Sequence, residues 1–423
     1  MKIKTKQVTY EHIENLPQQK RKKLPYPNFL FRLLIRILSA FELAATKFTY
    51  TKKRMEEIDK KEPCLILMNH SSFIDLKIAS KLFFPKPYYI VSTMDGLIGK
   101  EWLMRRIGCI PTRKFVSDVA LMRDMTRALH EKKTSVLLFP EAGYSFDGRT
   151  TTLPNHLGGF IKKLGVPVVS VITDGAFLYQ PLYNVLKIRK TKVSAHVECL
   201  ATKQETQELS AEELNARIEK AFSFDGFHSQ KENAVKIDTP DRAEGLHRIL
   251  YRCPACQTEG KTVGEGVHLT CHACGKRYFM DEYGQMQGAD GKTEFAHIPD
   301  WTGWQRECVK KELENGTYRM DVDVDIGVIA DHKAMYMVGE GKLVHDENGF
   351  LLEGCDGKLS YTQSPLSSYS LNSDFYWYEI GDVIGIGNAQ RLYYCFPKQK
   401  DVVTKARFAT EELYKILKAK TTV

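Results

Sequence analysis

Two groups of residues in this 423-residue chain have types and spacings that can do chemistry. The first is His70 and Asp75, within Cys64-Leu-Ile-Leu-Met-Asn-His-Ser-Ser-Phe-Ile-Asp75. The apolar run Cys64 to Met68 predicts a strand buried on both faces. Asn69 and His70 then leave the sheet. Ser71 or Ser72 can cap a following helix, and Asp75 falls in or near its first turn, where a carboxylate is favoured. Were both residues helical, five steps of about 100° would set them on different faces. With His70 on the preceding loop, Asp75 can reach back to its ring. A carboxylate there fixes the tautomer and stabilises the imidazolium, leaving the other ring nitrogen as a general base near neutral pH. A structural surface pair is the alternative reading of that spacing. The second group is Cys253-Pro-Ala-Cys256 and Cys271-His-Ala-Cys274, with fourteen residues between the pairs. Each pair can hold a metal between two thiolates on a tight turn, and two pairs complete a tetrahedral site. Four protein ligands leave no open position, so Zn2+ in a structural role is expected at Cys253, Cys256, Cys271 and Cys274, and His272 is redundant beside them. A third candidate fails: Gly143-Tyr-Ser-Phe-Asp147 begins like a nucleophile elbow but lacks the closing glycine. Ser145 is therefore read as support for its loop.

The elements that must position the first group follow in order. Ile107-Gly-Cys-Ile-Pro-Thr-Arg113 is a glycine turn leading to an arginine. Leu137-Leu-Phe-Pro-Glu-Ala-Gly143 is an apolar strand ending in Pro-Glu, and Gly165-Val-Pro-Val-Val-Ser-Val171 is a valine-rich strand entered through proline. Strands are expected at Pro87–Ser92 and Thr134–Phe139. Helices are expected at Asp118–His130, at His156–Leu164, and from the capping box Ser210-Ala-Glu-Glu213 to about Phe224. Strands alternating with helices indicate an α/β domain.

These four blocks, in this order, resemble the glycerolipid acyltransferase family over roughly residues 30–225. Its blocks are His-x4-Asp, a Gly…Arg block, Phe-Pro-Glu-Gly-x-Arg-Ser and Val-Pro-Val-x-Pro-Val. Two positions depart from the pattern: Ala142 stands where the family has glycine, and Tyr144 where it has the arginine implicated in gripping the acceptor's phosphate. Lys114 and Arg149 lie close in sequence as substitutes. The resemblance implies an α/β acyltransferase domain with a central mixed sheet flanked by helices. It also implies an O-acyltransferase of the 1-acylglycerol-3-phosphate kind, serving phospholipid biosynthesis. A fatty acyl group would move from acyl-CoA or acyl-carrier protein to lysophosphatidate or a related lysophospholipid. On that reading His70 and Asp75 are catalytic, Arg113 with Lys114 binds the acceptor phosphate, and Glu141 and Gly143 shape the acceptor pocket. The transfer itself needs no metal or redox cofactor.

Composition is that of a globular protein, 43% hydrophobic and 27% charged, and the net charge of +9 suits an anionic partner. Six scattered cysteines beside the four-cysteine cluster suggest a reducing compartment. No signal peptide is read, because the basic start is not followed by an apolar core with a cleavage site. Residues 1–27 form a basic N-terminal segment with the cluster Lys20-Arg-Lys-Lys23. Phe29 to Leu43 reads as an apolar helix interrupted by Arg32, Arg36 and Glu42, too short and too charged to span a bilayer. An apolar helix behind a basic cluster suggests peripheral attachment to one leaflet, on the cytoplasmic face of the membrane. A helix packed on the domain's own core is the alternative.

The expected organisation is therefore the basic segment 1–27, an acyltransferase domain with its membrane-binding helix at 28–225, a linker at 226–249, a zinc ribbon at 250–285 and an antiparallel β module at 297–423. The last begins with a helix, Gln305 to Glu314. Strands follow at Tyr318–Ile326, Ala334–Val338, Lys342–His345, Phe350–Leu352, Lys358–Thr362, Phe375–Glu379, Val383–Ile386 and Arg391–Phe396, and a closing helix runs from about Val402 to Leu417. This resembles, in topology, a pleckstrin-homology-like module. Asp321, Asp323 and Asp325 alternate on one strand and read as a solvated face rather than a calcium site. A basic stripe is missing from the ribbon, so no nucleic-acid partner is expected. The expected partners are a phospholipid surface, a lysophospholipid acceptor and possible contact with acyl-carrier protein. The rival reading is a non-catalytic lipid-binding or regulatory protein on an acyltransferase-derived scaffold.

Overall fold

The computed structural model describes residues 2–17, 21–116 and 118–421. Its first sheet has seven strands in the order Thr49–Lys53, Ser194–Ala201, Val168–Asp174, Leu65–Met68, Ser135–Leu138, Tyr88–Thr93 and Cys109–Thr112. Every pairing is parallel except that between Val168–Asp174 and Ser194–Ala201, so the sheet is mixed. Leu65–Met68 sits at its centre with no exposed surface, as its unbroken apolar run requires. Alternate residues serve opposite faces. Leu65, Leu67, Tyr89 and Val136 pack with the helices Val119–Thr126, Leu157–Leu164 and Ala211–Ala221. Ile66, Met68, Ile90 and Leu137 pack with Ile74–Phe83 and the end of Phe29–Ala45. Ser210 and Glu213 form the expected capping box, and Gly165 ends Leu157–Leu164 with a φ of +57°.

The second sheet is antiparallel along the path Leu359–Gln363, Gly349–Gly354, Met335–Asp346, Met320–Val328, Leu392–Pro397, Gly381–Gly387 and Asn372–Trp377, with Thr5–Gln7 added in parallel off that path, and the helix Val403–Thr421 packs against it. Met335–Asp346 is one long strand where two were expected. Its Gly341 lies so close to the neighbouring strand that a Cβ would stand 2.4 Å from the Glu353 carbonyl oxygen, so this glycine serves close approach instead of a turn. A small four-stranded sheet, Met286–Gly288, Arg277–Met280, His268–Cys271 and Thr262–Glu265, carries the cysteines between the two larger ones.

Two stretches depart from their expected roles. Residues 226–249, expected as a linker, are packed: Gly226–Glu232 is helical, and Phe227, Ile237, Ala243, Leu246 and Ile249 are buried. They join one core that runs from Phe177 and Tyr183 of the α/β domain, through Tyr251, Leu269 and Tyr278, to Val324 and Ile384 of the second sheet. The charged letters of this stretch lie on its outer side, which is why composition reads as a linker. The basic N-terminal segment is likewise tied down. Thr5–Gln7 pairs in parallel with Met335–Met337, and Tyr10 and Ile13 are buried. Arg21 lies 2.7 Å from Asp124 and 3.2 Å from Asp118, and Lys22 lies 2.8 Å from Glu101, while Lys20 falls outside the described residues. Arg21 and Lys22 are thus engaged by the protein's own carboxylates.

The helix Phe29–Ala45, capped by the Asn28 side chain, buries only Ser39 and Leu43. Phe29, Leu30, Leu34, Ile37, Leu38 and Phe41 face outward, with Leu30 70% and Phe41 78% exposed. Among the described residues no helix is long and apolar enough to cross a membrane.

Candidate active site and metal centre

His70 follows the central strand on a loop held from three sides. Asn69, fully buried, accepts from the Thr173 backbone N–H at 2.8 Å and its hydroxyl at 3.1 Å, which ties the strand end to its neighbour. Glu141, also buried, accepts from the His70 N–H through Oε1 at 3.2 Å and from the Thr151 N–H through Oε2 at 3.0 Å. Asp75, in the first turn of Ile74–Phe83, accepts through Oδ2 from the Ser71 N–H at 2.7 Å and the Ser72 N–H at 3.0 Å. Neither serine caps the helix. Phe73 holds the N-cap position, and the carboxylate satisfies the loop's N–H groups in a cap's place. The same Oδ2 lies 3.0 Å from His70 Nδ1. That contact assigns the proton to Nδ1 and leaves Nε2 with its lone pair free to accept.

The imidazole stacks on Phe139, centroids 4.0 Å apart, and packs at a tilt against Tyr144 at 4.2 Å. Burial holds its pKa below the ordinary histidine value; Asp75 opposes that shift and Lys114 adds to it. Burial pushes the Glu141 carboxyl up to about 7 against the two N–H groups it accepts from.

His70 opens on a cavity of about 1190 Å³ that Arg113, Lys114 and Tyr144 also line. Glu141 and Gly143, expected to shape the acceptor pocket, are not among its lining. Glu141 lies beneath the His70 loop, and Gly143 is buried in the turn that follows. Arg149 is held by Asp147 at 3.0 Å and by the Thr302 hydroxyl at 3.1 Å, so of the two expected substitutes for the family arginine only Lys114 is among the cavity's lining. Ser145 is fully buried, its Oγ donating to the Arg149 carbonyl at 2.6 Å and accepting from the Gly148 N–H at 3.0 Å, a loop support as its sequence context suggested. Sequence reasoning missed Asn69, whose only signal is its place at the strand end. It also missed the cavity's second wall, Asp374 to Glu379, which comes from the second sheet.

The four cysteines converge, their Sγ atoms all within 4.8 Å of one another. Cys253 to Cys274 and Cys256 to Cys271 each measure 3.8 Å. A tetrahedral ion with metal–sulfur bonds of about 2.3 Å has ligand–ligand edges of about 3.8 Å. The set therefore fits such an ion without rearrangement.

Residues 49–174 match the family model described as Acyltransferase, a span from the strand Thr49–Lys53 to Val168–Asp174. No curated protein matches the chain. Among solved structures, it is similar to the crystal structure of the 1-acyl-sn-glycerophosphate (LPA) acyltransferase from Thermotoga maritima, with 16% identity. That match covers 45% of this chain and 78% of the other, at a TM-score of 0.33.

Proposed function

We propose, from the premise that residues 49–174 form an acyltransferase-family domain, that this chain is a glycerolipid O-acyltransferase working at a membrane surface. It moves a fatty acyl group from a thioester, acyl-CoA or acyl-carrier protein, to the free hydroxyl of lysophosphatidate or a related lysophospholipid. The observation that carries this reading is the His70–Asp75 contact of 3.0 Å at the wall of a large cavity. His70 Nε2 removes the hydroxyl proton as the acceptor oxygen attacks the thioester carbonyl carbon. The carbon–oxygen bond forms, the carbon–sulfur bond breaks, and the proton passes to the departing thiolate. Asp75 holds the imidazole through Nδ1 and stabilises the imidazolium while it lasts. Arg113 and Lys114 hold the acceptor's anionic group by charge-assisted contacts.

The exposed side of Phe29–Ala45 supports docking on one leaflet of a membrane. Six outward apolar side chains on one helix are what an interfacial helix buries in lipid. Trp102, 64% exposed, packs edge-on against Phe31 of that helix and extends the patch. Phe73 and Leu76, also exposed, line the cavity and give acyl chains an apolar way in. Cys253, Cys256, Cys271 and Cys274 hold a structural zinc ion, the metal that four thiolates at this spacing favour. A screen of purified protein with acyl-CoA and acyl-carrier protein against a panel of lysolipids tests the reading. Acyl transfer that depends on His70 is expected with at least one acceptor, and none with any pairing would refute it.

A further inference from the structure

The far wall of the catalytic cavity belongs to the second sheet, where Asn372–Trp377 and Gly381–Gly387 form a hairpin. The tip is held in an uncommon shape. Tyr376, Tyr378 and Glu379 have φ values of +47°, +48° and +65°, a region that side-chain-bearing residues rarely adopt, and the pairing slips between Asp374 and Trp377. Such backbone persists only where its surroundings fix it, and it concentrates at functional sites. Here the Tyr376 N–H donates to Asp382 Oδ1 at 2.9 Å, and the Tyr378 hydroxyl donates across the domain boundary to Asp95 Oδ2 at 3.1 Å.

The tip brings charge of one sign opposite charge of the other. Arg113 and Lys114 reach the cavity from the α/β domain, and among the described residues neither side chain makes a hydrogen bond or ion pair. Asp374 reaches it from the hairpin, its Oδ1 accepting only from the neighbouring Phe375 N–H at 2.8 Å, and Asp95 lies beside it on the wall. Burial pushes the Asp374 carboxyl up to about 6, with Lys114 opposing that shift. Tyr144, whose ring lies 4.2 Å from that of His70, feels the charges of Asp75, Asp374 and Asp95 together. A head group that is anionic throughout would meet repulsion from Asp374. One that adds an ammonium relieves the half-buried carboxylate and finds aromatic faces to lie against.

We propose that this hairpin selects the acyl acceptor and that the head group it takes is dipolar. The anionic group sits against Arg113 and Lys114, and a cationic amine sits among Asp374, Tyr144 and Tyr376. The inference rests on the acyl-transfer reading above and narrows its acceptor.

The test uses the full chain, with acyl-CoA and acyl-carrier protein each offered as donor. Three acceptors of identical acyl chain are compared: lysophosphatidate, lysophosphatidylglycerol and lysophosphatidylethanolamine. The expected order puts lysophosphatidylethanolamine first by about tenfold in kcat/KM, equivalent to about 1.4 kcal/mol. Asp374→Asn should raise its KM about tenfold and lower that for lysophosphatidate, while Lys114→Met should raise KM for all three. Lysophosphatidate leading in the native protein overturns the inference and leaves acyl transfer standing. So does an amine preference that survives Asp374→Asn in folded protein. No His70-dependent turnover with any acceptor removes both. Should Asp374→Asn fail to fold, the native order of acceptors decides.

Discussion

Replacing His70 with alanine should remove acyl transfer while leaving the melting temperature nearly unchanged, because its ring sits at the cavity wall and not in the sheet. General-base help is typically about 10²–10⁴-fold, so the loss is measurable with any accepted lysolipid, and Asp75→Asn should cripple turnover by misplacing the Nδ1 proton. On the mechanism proposed above the neutral imidazole is the active form, and burial holds its pKa below the ordinary histidine value of 6.5. Activity should therefore fall as pH drops through a midpoint under 6.5; a midpoint above it would place the proton transfer elsewhere. Glu141→Gln probes the loop beneath. Its amide leaves one of two buried backbone N–H groups facing a donor, a cost of about 1–3 kcal/mol. The native carboxyl, however, ionises near 4.5 unfolded and about 7 folded. Its contribution is thus fully present below 4.5 and is lost as pH rises through 7. Denaturant melts at pH 5 and pH 7.5 should show the variant's deficit shrinking with pH, and a constant deficit would contradict that assignment. At this scale the sequence was informative where chemistry is local. His70 and Asp75 lie five positions apart and meet. Glu141 was visible as a residue but not as a loop anchor, since it joins His70, at the end of another strand, to Thr151, ten residues on in its own loop.

The element that most clearly exceeds its local role is the helix Phe29–Ala45. Its outward residues contribute little to the fold, so Leu30, Leu34, Leu38 and Phe41 changed together to serine should leave stability nearly intact. Each large apolar side chain withdrawn from lipid forfeits about 1.5–3 kcal/mol, so co-sedimentation with anionic vesicles should drop sharply. The native protein should stay bound at about 1 M salt, where charges are screened over about 3 Å, because Arg21 and Lys22 are spent on Asp118, Asp124 and Glu101. Vesicle binding that survives the four serines would move the anchor to another face. Substitution is a cleaner test than removing residues 1–45, which would also take Thr5–Gln7, Tyr10 and Ile13 out of the second sheet and its core. Element boundaries followed the sequence closely in the α/β domain, where apolar runs alternate with capped helices. They failed at residues 226–249, where burial depends on Tyr183 and Leu269 from other parts of the chain.

At the scale of the whole molecule, one buried core joins the α/β domain, the cysteine-bearing sheet and the second sheet. One zinc ion per chain should be found by elemental analysis, and Cys253→Ser or Cys274→Ser should release it. Zinc-coupled folding in small units is worth about 10–16 kcal/mol in apparent terms, and here the loss cannot stay local. Chelation should lower the single melting transition of the whole chain and cut activity only as the protein unfolds. An immediate inhibition reversed by zinc with the fold unchanged would instead put the ion in the chemistry. The second sheet carries a further consequence through the strand Thr5–Gln7. It pairs with Met335–Met337, so that pairing cannot form until about 330 further residues exist. At synthesis rates of about 5–20 residues per second the delay is roughly tens of seconds. Throughout it, Phe29–Ala45 leaves the ribosome as an apolar helix ahead of the strands and helices it will pack against. On the membrane docking proposed above, the nascent chain can thus meet the bilayer before it has a catalytic cavity to bring to it.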